Sequence, residues 1–311
     1  MDLFDRIVKV TVWSQPTGFV GQNPGYFDRI GNGIEILGAE NPLGLHIKAS
    51  VEKNLASEPN KCEITIVNLA EHTRNELEKV PTYVRLEAGY AGVPRLLFYG
   101  NLRYGSAKYT GTEWETTLQV GDGARAHAFA RVNKSYRPPV QVSTVLSDIA
   151  ATMGLQLPEE LDQSIELKQA LKSGISLHGP SREFLTKILA PYGYNWSTQN
   201  GRLQILKDEE VRQNEAVLVD ESTGLIGSPQ RSVPEAPNSF KPESYQQQAK
   251  HRVEWTWEMF LYPELNPGSK AKLDTRWIKG IGKIIQVTHT IDSRTGPFKS
   301  ACKAFPLGGN S

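Results

Sequence analysis

The 311-residue sequence is poor in sulfur, with two cysteines and three methionines. Cys62 and Cys302 cannot build the multi-bridge framework of a small secreted domain. Both lie in alternating, strand-like segments, so two buried free thiols are expected rather than a bridge. Net charge is nearly absent as well. Lys and Arg number 35 against 34 Asp and Glu, a balance of +1, which gives no general attraction to nucleic acid or anionic membrane. A charge-driven partner would have to be recognised locally. There is no run of about eighteen apolar residues to span a bilayer, and the opening MDLFDRIVKV lacks a basic segment followed by an apolar one. The chain therefore reads as a soluble, unexported cytosolic product.

Catalytic signatures are equally scarce. The sequence contains no GxSxG elbow, no HExxH zinc helix and no GxxxxGK[ST] phosphate loop, and GNGIEILG around Gly31 and Gly33 has turn rather than phosphate-loop spacing. The histidines His46, His72, His127, His178, His251 and His289 are scattered, with no pair at metal-ligand spacing. A surface or turn position is expected for each. Cys302 and His289 could meet across neighbouring strands as thiol and base, but nothing in the sequence orients such a pair. The acidic pairs Glu159-Glu160 and Glu209-Glu210 are adjacent and point apart on a helix or a strand, as solvated charges do. Arg125, Arg131, Lys134 and Arg137 form a modest basic patch without the interleaved aromatics of a single-strand binder. No catalytic, cofactor or metal residue is assigned and no cofactor is expected; interface residues cannot be named from sequence.

What the chain has is alternation. In LHIKASVE, Leu45, Ile47, Ala49 and Val51 share one face while His46, Lys48, Ser50 and Glu52 share the other. That phase makes His46 an exposed strand residue. The same pattern runs through Ile7 to Trp13, Cys62 to Asn68, Tyr83 to Tyr90 and Glu113 to Val120. It is interrupted by a helical candidate from Glu71 to Val80 that Asn68 and Glu71 would cap. With 27 Gly and 19 Pro showing no periodicity, many turns between short strands are expected. Residues 1–130 thus read as a small barrel or sandwich.

The middle changes period. Val142, Val145, Leu146, Ile149 and Met153 recur at helical spacing before Gly154, and a second helix carries Phe184, Leu185, Ile188 and Leu189 before Pro191 and Gly193. Asn200-Gly201 then joins two strand-like runs, Tyr194 to Thr198 and Arg202 to Leu206, as a tight hairpin. Residues 131–210 read as a compact α/β insert of two helices and a hairpin.

The last hundred residues begin with Val217 to Asp220 and TGLIGSPQRS, to which no strand is assigned. A Pro-, Ser- and Gln-rich stretch at about 230–250 follows and reads as a long mobile loop. Alternation resumes at HRVEWTWEMFL. Trp255 and Trp257 could form a stacking platform for sugars or bases, but flanking Val253, Met259 and Leu261 in the same phase favour a core face. The first and last regions also share an order of features. ITIVNL, a turn-helix, YVRLEAGY and a long hairpin around Thr110-Gly111 parallel VEWTWEMFL, PELNPG, KAKLDT and a hairpin around Thr295-Gly296. Residues 211–311 are therefore expected to be a second barrel related to the first. The fold expected is mainly β, two related small barrels separated by an α/β insert.

The segment from Asn60 to Gly105, with its Asn68-Leu69, Ala88-Gly89-Tyr90 and Phe98-Tyr99-Gly100, resembles the first barrel of bacteriophage tail baseplate central hub proteins. That contractile-tail family is related to the hub part of type VI secretion spikes. Thr223 to Ser232, the Pro263 to Gly268 turn and Val287-Thr288-His289 resemble its second barrel. The resemblance implies a non-enzymatic homotrimer with a pseudo-sixfold ring joining the tail tube to a trimeric central spike, around a channel through which nucleic acid passes. It further implies a distal tail or tube protein, a tape-measure protein and baseplate wedge or adaptor proteins as partners, no membrane insertion, and a virion tail location after assembly in the host cytoplasm. Two other readings stay open, a cell-wall or carbohydrate-binding tail-tip module motivated by Trp255, Trp257 and the segment Tyr192 to Trp196, and a tail-associated wall hydrolase.

Overall fold

The computed structural model describes residues 5–14, 33–39, 44–77, 82–90, 92–158, 161, 166–212, 215–233 and 253–307. The loop expected after Val233, with His251, lies outside these residues, as do Gly31, Glu159-Glu160 and the last turn of the helix expected to reach Val80.

The first region holds β1 (Arg6–Ser14), β2 (Ile34–Ala39), β3 (Ile47–Asn54) and β4 (Lys61–Val67), followed by the short helix α1 (Glu71–Leu77). It continues through β5 (Thr82–Tyr90), β6 (Arg95–Tyr109) and β7 (Trp114–Gly121). Their neighbours run β3-β4-β7-β6-β5-β1-β2. β3 buries every second residue along its whole length, as its alternation requires. Ile47, Val51, Ile64, Ile66, Leu86 and Leu118 form the centre of the first hydrophobic cluster.

The insert opens with α2 (Ala124–Phe129), β8 (Arg131–Tyr136), β9 (Val140–Gln141) and α3 (Val142–Thr152). It continues with β10 (Ala170–Leu171), β11 (Ile175–Pro180), α4 (Ser181–Leu189), β12 (Tyr194–Gln199) and β13 (Arg202–Lys207). Its strands form three two-stranded sheets, β9 with β10, β8 with β11 and β12 with β13. Only the last was expected. α3 and α4 bury Val145, Leu146, Ile149, Leu185 and Leu189 in a second cluster with Trp196 and Leu203. Asn200 and Gly201 both take positive φ (54° and 76°), the conformation a two-residue hairpin turn demands.

The last region comprises β14 (Ala216–Val219), β15 (Leu225–Ser232), β16 (Glu254–Phe260), β17 (Lys270–Asp274), β18 (Lys279–Asp292) and β19 (Lys299–Pro306). Its neighbours run β15-β16-β19-β18, with β17 beside β18 and β14 beside β17. TGLIGSPQRS is thus a strand for most of its length. Its ladder with β16 breaks between Ile226 and Gln230, and that irregularity erases the alternation by which a strand is read.

Two closed barrels are not what forms. All of these strands outside the insert join one thirteen-stranded sheet, and no closed barrel occurs among the described residues. The reason is the length of β18. Its first half pairs with β17, while Gln286–Asp292 leave that partner behind and pair antiparallel with β3. In the first region β2 comes back towards β3, among the described residues, only through one bridge, Gly38 to Leu45, where Leu45 N–H donates to the Leu37 carbonyl at 2.9 Å.

The expected internal repeat has a counterpart in strand order. β4-β7-β6-β5 in the first region matches β16-β19-β18-β17 in the last. The long strands β6 and β18 both carry an irregularity, between Leu102 and Tyr104 and between Ile284 and Gln286. Two residues before each stands a glycine pressed on the same position of the neighbouring strand. A Cβ on Gly100 would lie 2.5 Å from the Gly121 carbonyl oxygen, and one on Gly282 would lie 3.1 Å from that of Phe305. Backbone cannot retreat as a side-chain tip can. Gly100→Ala is therefore expected to cost about 2–3 kcal/mol and Gly282→Ala measurably less, as read by denaturant unfolding.

Candidate functional site

The features that could carry function are the joints between the three regions. At the first joint β3 and β18 form a ladder from Asn54 opposite Gln286 to Lys48 opposite Asp292. Beyond it Ser293 takes over. Its N–H donates to the Ile47 carbonyl at 2.9 Å and its Oγ accepts from Ile47 N–H at 2.9 Å. Arg6, at the start of β1, donates to the carbonyls of Arg294 (2.9 Å) and Gly296 (2.6 Å), and its guanidinium lies 5.2 Å from the Phe298 ring centre. The Tyr90 hydroxyl donates to the Phe298 carbonyl at 3.2 Å. The turn between β18 and β19 is thus held by the first region.

His46 is half-buried rather than exposed, because its Nε2 meets Asp292 Oδ1 at 3.0 Å. Burial pushes the Asp292 carboxyl up. Donors from Arg294 N–H and His46 outweigh that and hold it below the usual range.

At the second joint the hairpin β12–β13 docks on both β regions through buried polar groups. Asp122, 1 % exposed, accepts the N–H groups of Asn200 (2.5 Å) and Gly201 (2.8 Å). Asn60 donates to the Thr198 carbonyl (2.8 Å), and Gln199 donates to the Asn54 carbonyl (2.7 Å). Lys283 donates to the carbonyls of Lys207 and Asp208 at 3.0 and 3.1 Å. Beside this joint Lys53, fully buried, ties the first region to the last by donating to Asn266 Oδ1 at 2.9 Å. Burial lowers the Lys53 ammonium and raises the Asp122 carboxyl, and each charge partly offsets the shift of the other. Such groups are costly to bury unless every partner is in place, so they fix one docking geometry.

None of these anchors was named from sequence. Lys53 carried a readable signal, since it continues the buried phase Ile47, Ala49, Val51. Asp122, at the end of β7, carried none.

Cys302 lies opposite Val287, whereas His289 lies opposite Ser300 and shares a 2.8 Å hydrogen bond with the Ser300 hydroxyl through Nδ1. Thiol and imidazole are not brought together as acid and base. Burial pushes the Cys302 and Cys62 thiols up. His289 is fully buried, not at the surface. Burial first, and the Lys53 charge second, push it down to about 3 despite the Leu265 backbone carbonyl, which favours the charged ring. Trp255 and Trp257 are 7 % and 3 % exposed and lie on the core face, which removes them as a stacking platform. Trp196 is buried too, its indole N–H donating to Thr186 Oγ1 at 2.8 Å. In the basic patch Lys134 is paired with Asp148 at 2.5 Å. Glu209 is exposed, and Glu210 accepts from Lys207 N–H at 3.0 Å. Among the described residues no cluster of side chains fit for a metal ion and no helix long and apolar enough to cross a membrane occurs.

The fold is similar to that of phage tail proteins and of a type VI secretion component. The 43 kDa tail protein of prophage MuSo2 from Shewanella oneidensis superposes with a TM-score of 0.60 at 6 % identity, over 96 % of this chain and 99 % of that one. A tail protein from Neisseria meningitidis MC58 superposes with a TM-score of 0.59 at 11 % identity, over 96 % of both chains. The E. coli c3393 protein is a component of the type VI secretion system with structural similarity to the T4 bacteriophage tail proteins gp27 and gp5. It gives a TM-score of 0.56 at 11 % identity, over 86 % of this chain and 76 % of that one. At these identities the likeness is one of fold. No protein-family model matches the sequence, and no curated protein matches it.

Two outcomes follow from the joints. Asp122→Ala orphans two hairpin N–H groups and strips Lys53 of its countercharge, so a loss of about 3 kcal/mol in unfolding free energy is expected. His289 has a folded-state value below its unfolded one. The stability it contributes is complete above about pH 6.5 and is lost as pH falls towards 3. Across that window the wild-type chain should lose stability relative to His289→Gln in chemical denaturation at stepped pH; parallel curves would refute the assignment.

Proposed function

We propose that this chain is the structural hub of a phage tail baseplate, three copies forming a ring with pseudo-sixfold character that joins the tail tube to a trimeric central spike. The observation that carries the reading is the shared strand order β4-β7-β6-β5 and β16-β19-β18-β17 within a chain of tail-protein fold. Two related units per chain let three copies present a sixfold face to a tube and a threefold face to a spike.

On this reading residues 1–130 and 211–311 are the two ring-forming domains and 131–210 the insert between them. The work is mechanical. Stable joints keep a channel closed by the spike until release, nucleic acid meets the chain only in transit, and no bond chemistry is needed. The partners are other copies of the chain, the spike, a tail tube or distal tail protein, the tape-measure protein and wedge or adaptor proteins. The site of action is the virion tail baseplate, after assembly in the host cytoplasm. The burial of Trp255, Trp257 and Trp196 leaves the carbohydrate-binding reading without its tryptophans.

The decisive measurement is mass in solution by light scattering or native mass spectrometry, alone and with the cognate spike protein. A trimer, or a three-to-three complex with the spike, is expected. A monomer indifferent to the spike at every concentration would overturn the reading.

A further inference from the structure

The seam between β3 and β18 joins the first unit of the chain to the second, and a sheet built from two related units should offer the same seam twice. It is used once. β6 corresponds to β18, yet beyond Asn101 its outer edge has no described strand beside it, because β5 pairs only as far as that residue. β15, which corresponds to β3, likewise ends the sheet with one edge unpaired among the described residues. Exposed apolar side chains mark both, Tyr104 and Tyr109 on β6 and Ile226 on β15, with Val233 just beyond it. A groove of 320 Å³ lies across β6 and β7, lined by Leu102, Gly105, Ala107 and Leu118 and flanked by Arg74 and Leu77 of α1, and one of 540 Å³ lies across β15, β16, β18 and β19.

We infer that the free edge of β6 pairs antiparallel with β15 of a second copy of this chain, with Ala107 opposite Arg231 and Ser106 opposite Ser232. The inference rests on the hub reading and specifies the contact that would close its ring.

The register follows from walking across the sheet. On the first unit one row runs from Leu102 to Val120, Cys62, Val51 and, across the seam, His289. On the second the matching row runs from Ile284 to Ala304, Trp255 and Arg231, where it stops at the open edge. Leu102 and Ile284 are matched because each directly precedes the irregularity in its own long strand. Counting on from there, His289 matches Ala107. Each pairs with a matching neighbour, Ser300 and Thr116. The residue that completes the second row is therefore Ala107 of the next copy.

The chemistry permits it. Lys108 would stand opposite Gln230 and Gly105 opposite Val233, so no like charges face each other. Main-chain hydrogen bonds supply the attraction, as in other strand additions to an open edge. The two edges differ, so each copy gives one and receives one. Such a head-to-tail contact closes into a ring when the rotation allows.

The test is a disulfide between copies of the full chain carrying Ser106→Cys and Ser232→Cys, read on non-reducing gels and by mass spectrometry of the linked peptides. Cys62 and Cys302 are buried and stay silent. Linked dimers and trimers are expected, with about tenfold higher yield than for Ser106→Cys with Gln230→Cys, a diagonal pair roughly 7 Å apart. Mixing the two single variants should give only heterodimers. A trimer by mass with no disulfide between positions 106 and 232 would overturn the pairing and leave the hub reading standing. A link formed inside one copy would overturn it as well, since the chain would then cover its own edge. A monomer under all conditions would overturn both.

Discussion

A strand left with an open edge carries a row of unmet hydrogen-bonding groups, and a strand much longer than its neighbour must leave one. β18 is such a strand. β17 covers only its first half, and the remainder takes β3, a strand more than two hundred residues earlier in the chain, as its second partner. Everything else in the molecule is arranged around that substitution. Because β3 belongs to the first region's core, the two hydrophobic clusters on either side are drawn into one sheet. Leu261, Ile291 and Phe298 from the last region therefore pack within the first cluster. Arg6 and Tyr90 then hold the turn that emerges from the seam.

The insert is attached by a different physics. Its own helices and hairpin bury an apolar cluster, but its contact with the sheet relies on Asp122, Asn60, Gln199 and Lys283. Apolar surfaces slide with little penalty, whereas buried donors and acceptors tolerate only the placement that satisfies them. The tip of the hairpin, with two backbone N–H groups presented by consecutive positive-φ residues, fits a carboxylate and little else. The insert is thereby keyed to the sheet rather than merely resting on it.

Where a segment had one wet and one dry face, its structure could be read from the residues. β3, β4, β5 and β7 and the helices α3 and α4 follow their apolar period closely, and the paired order of the two β regions is legible in the residue pattern. Three kinds of segment escaped. β15 is an edge strand interrupted by Gly227 and Pro229, so it has no continuous face to alternate. α2, Ala124–Phe129, buries none of its residues fully and left no stripe. β8, RVNKSY, buries only Val132 fully and so left no alternation to read. The joints were harder still. Lys53 and His289 occupy core phases of β3 and β18, yet residue type argued for the surface, and only tertiary partners decide that contest. Closure of the barrels failed for a reason no local pattern contains, the choice β18 makes between β17 and β3.

The break in β15 also has a bearing on timing. Residues between Ile226 and Gln230 leave the ladder, and Pro229 offers no N–H, so a newcomer can engage that edge over only a few consecutive residues. A short edge is a poor template for indefinite stacking, which protects freshly made chains in a crowded cell. It is also a weak bond by itself. In the proposed ring a pair of copies would be held by a single such contact, while the arrival of the last copy would form two at once. Half-built rings would therefore be scarce, and the population would consist of separate chains and finished rings with little between them.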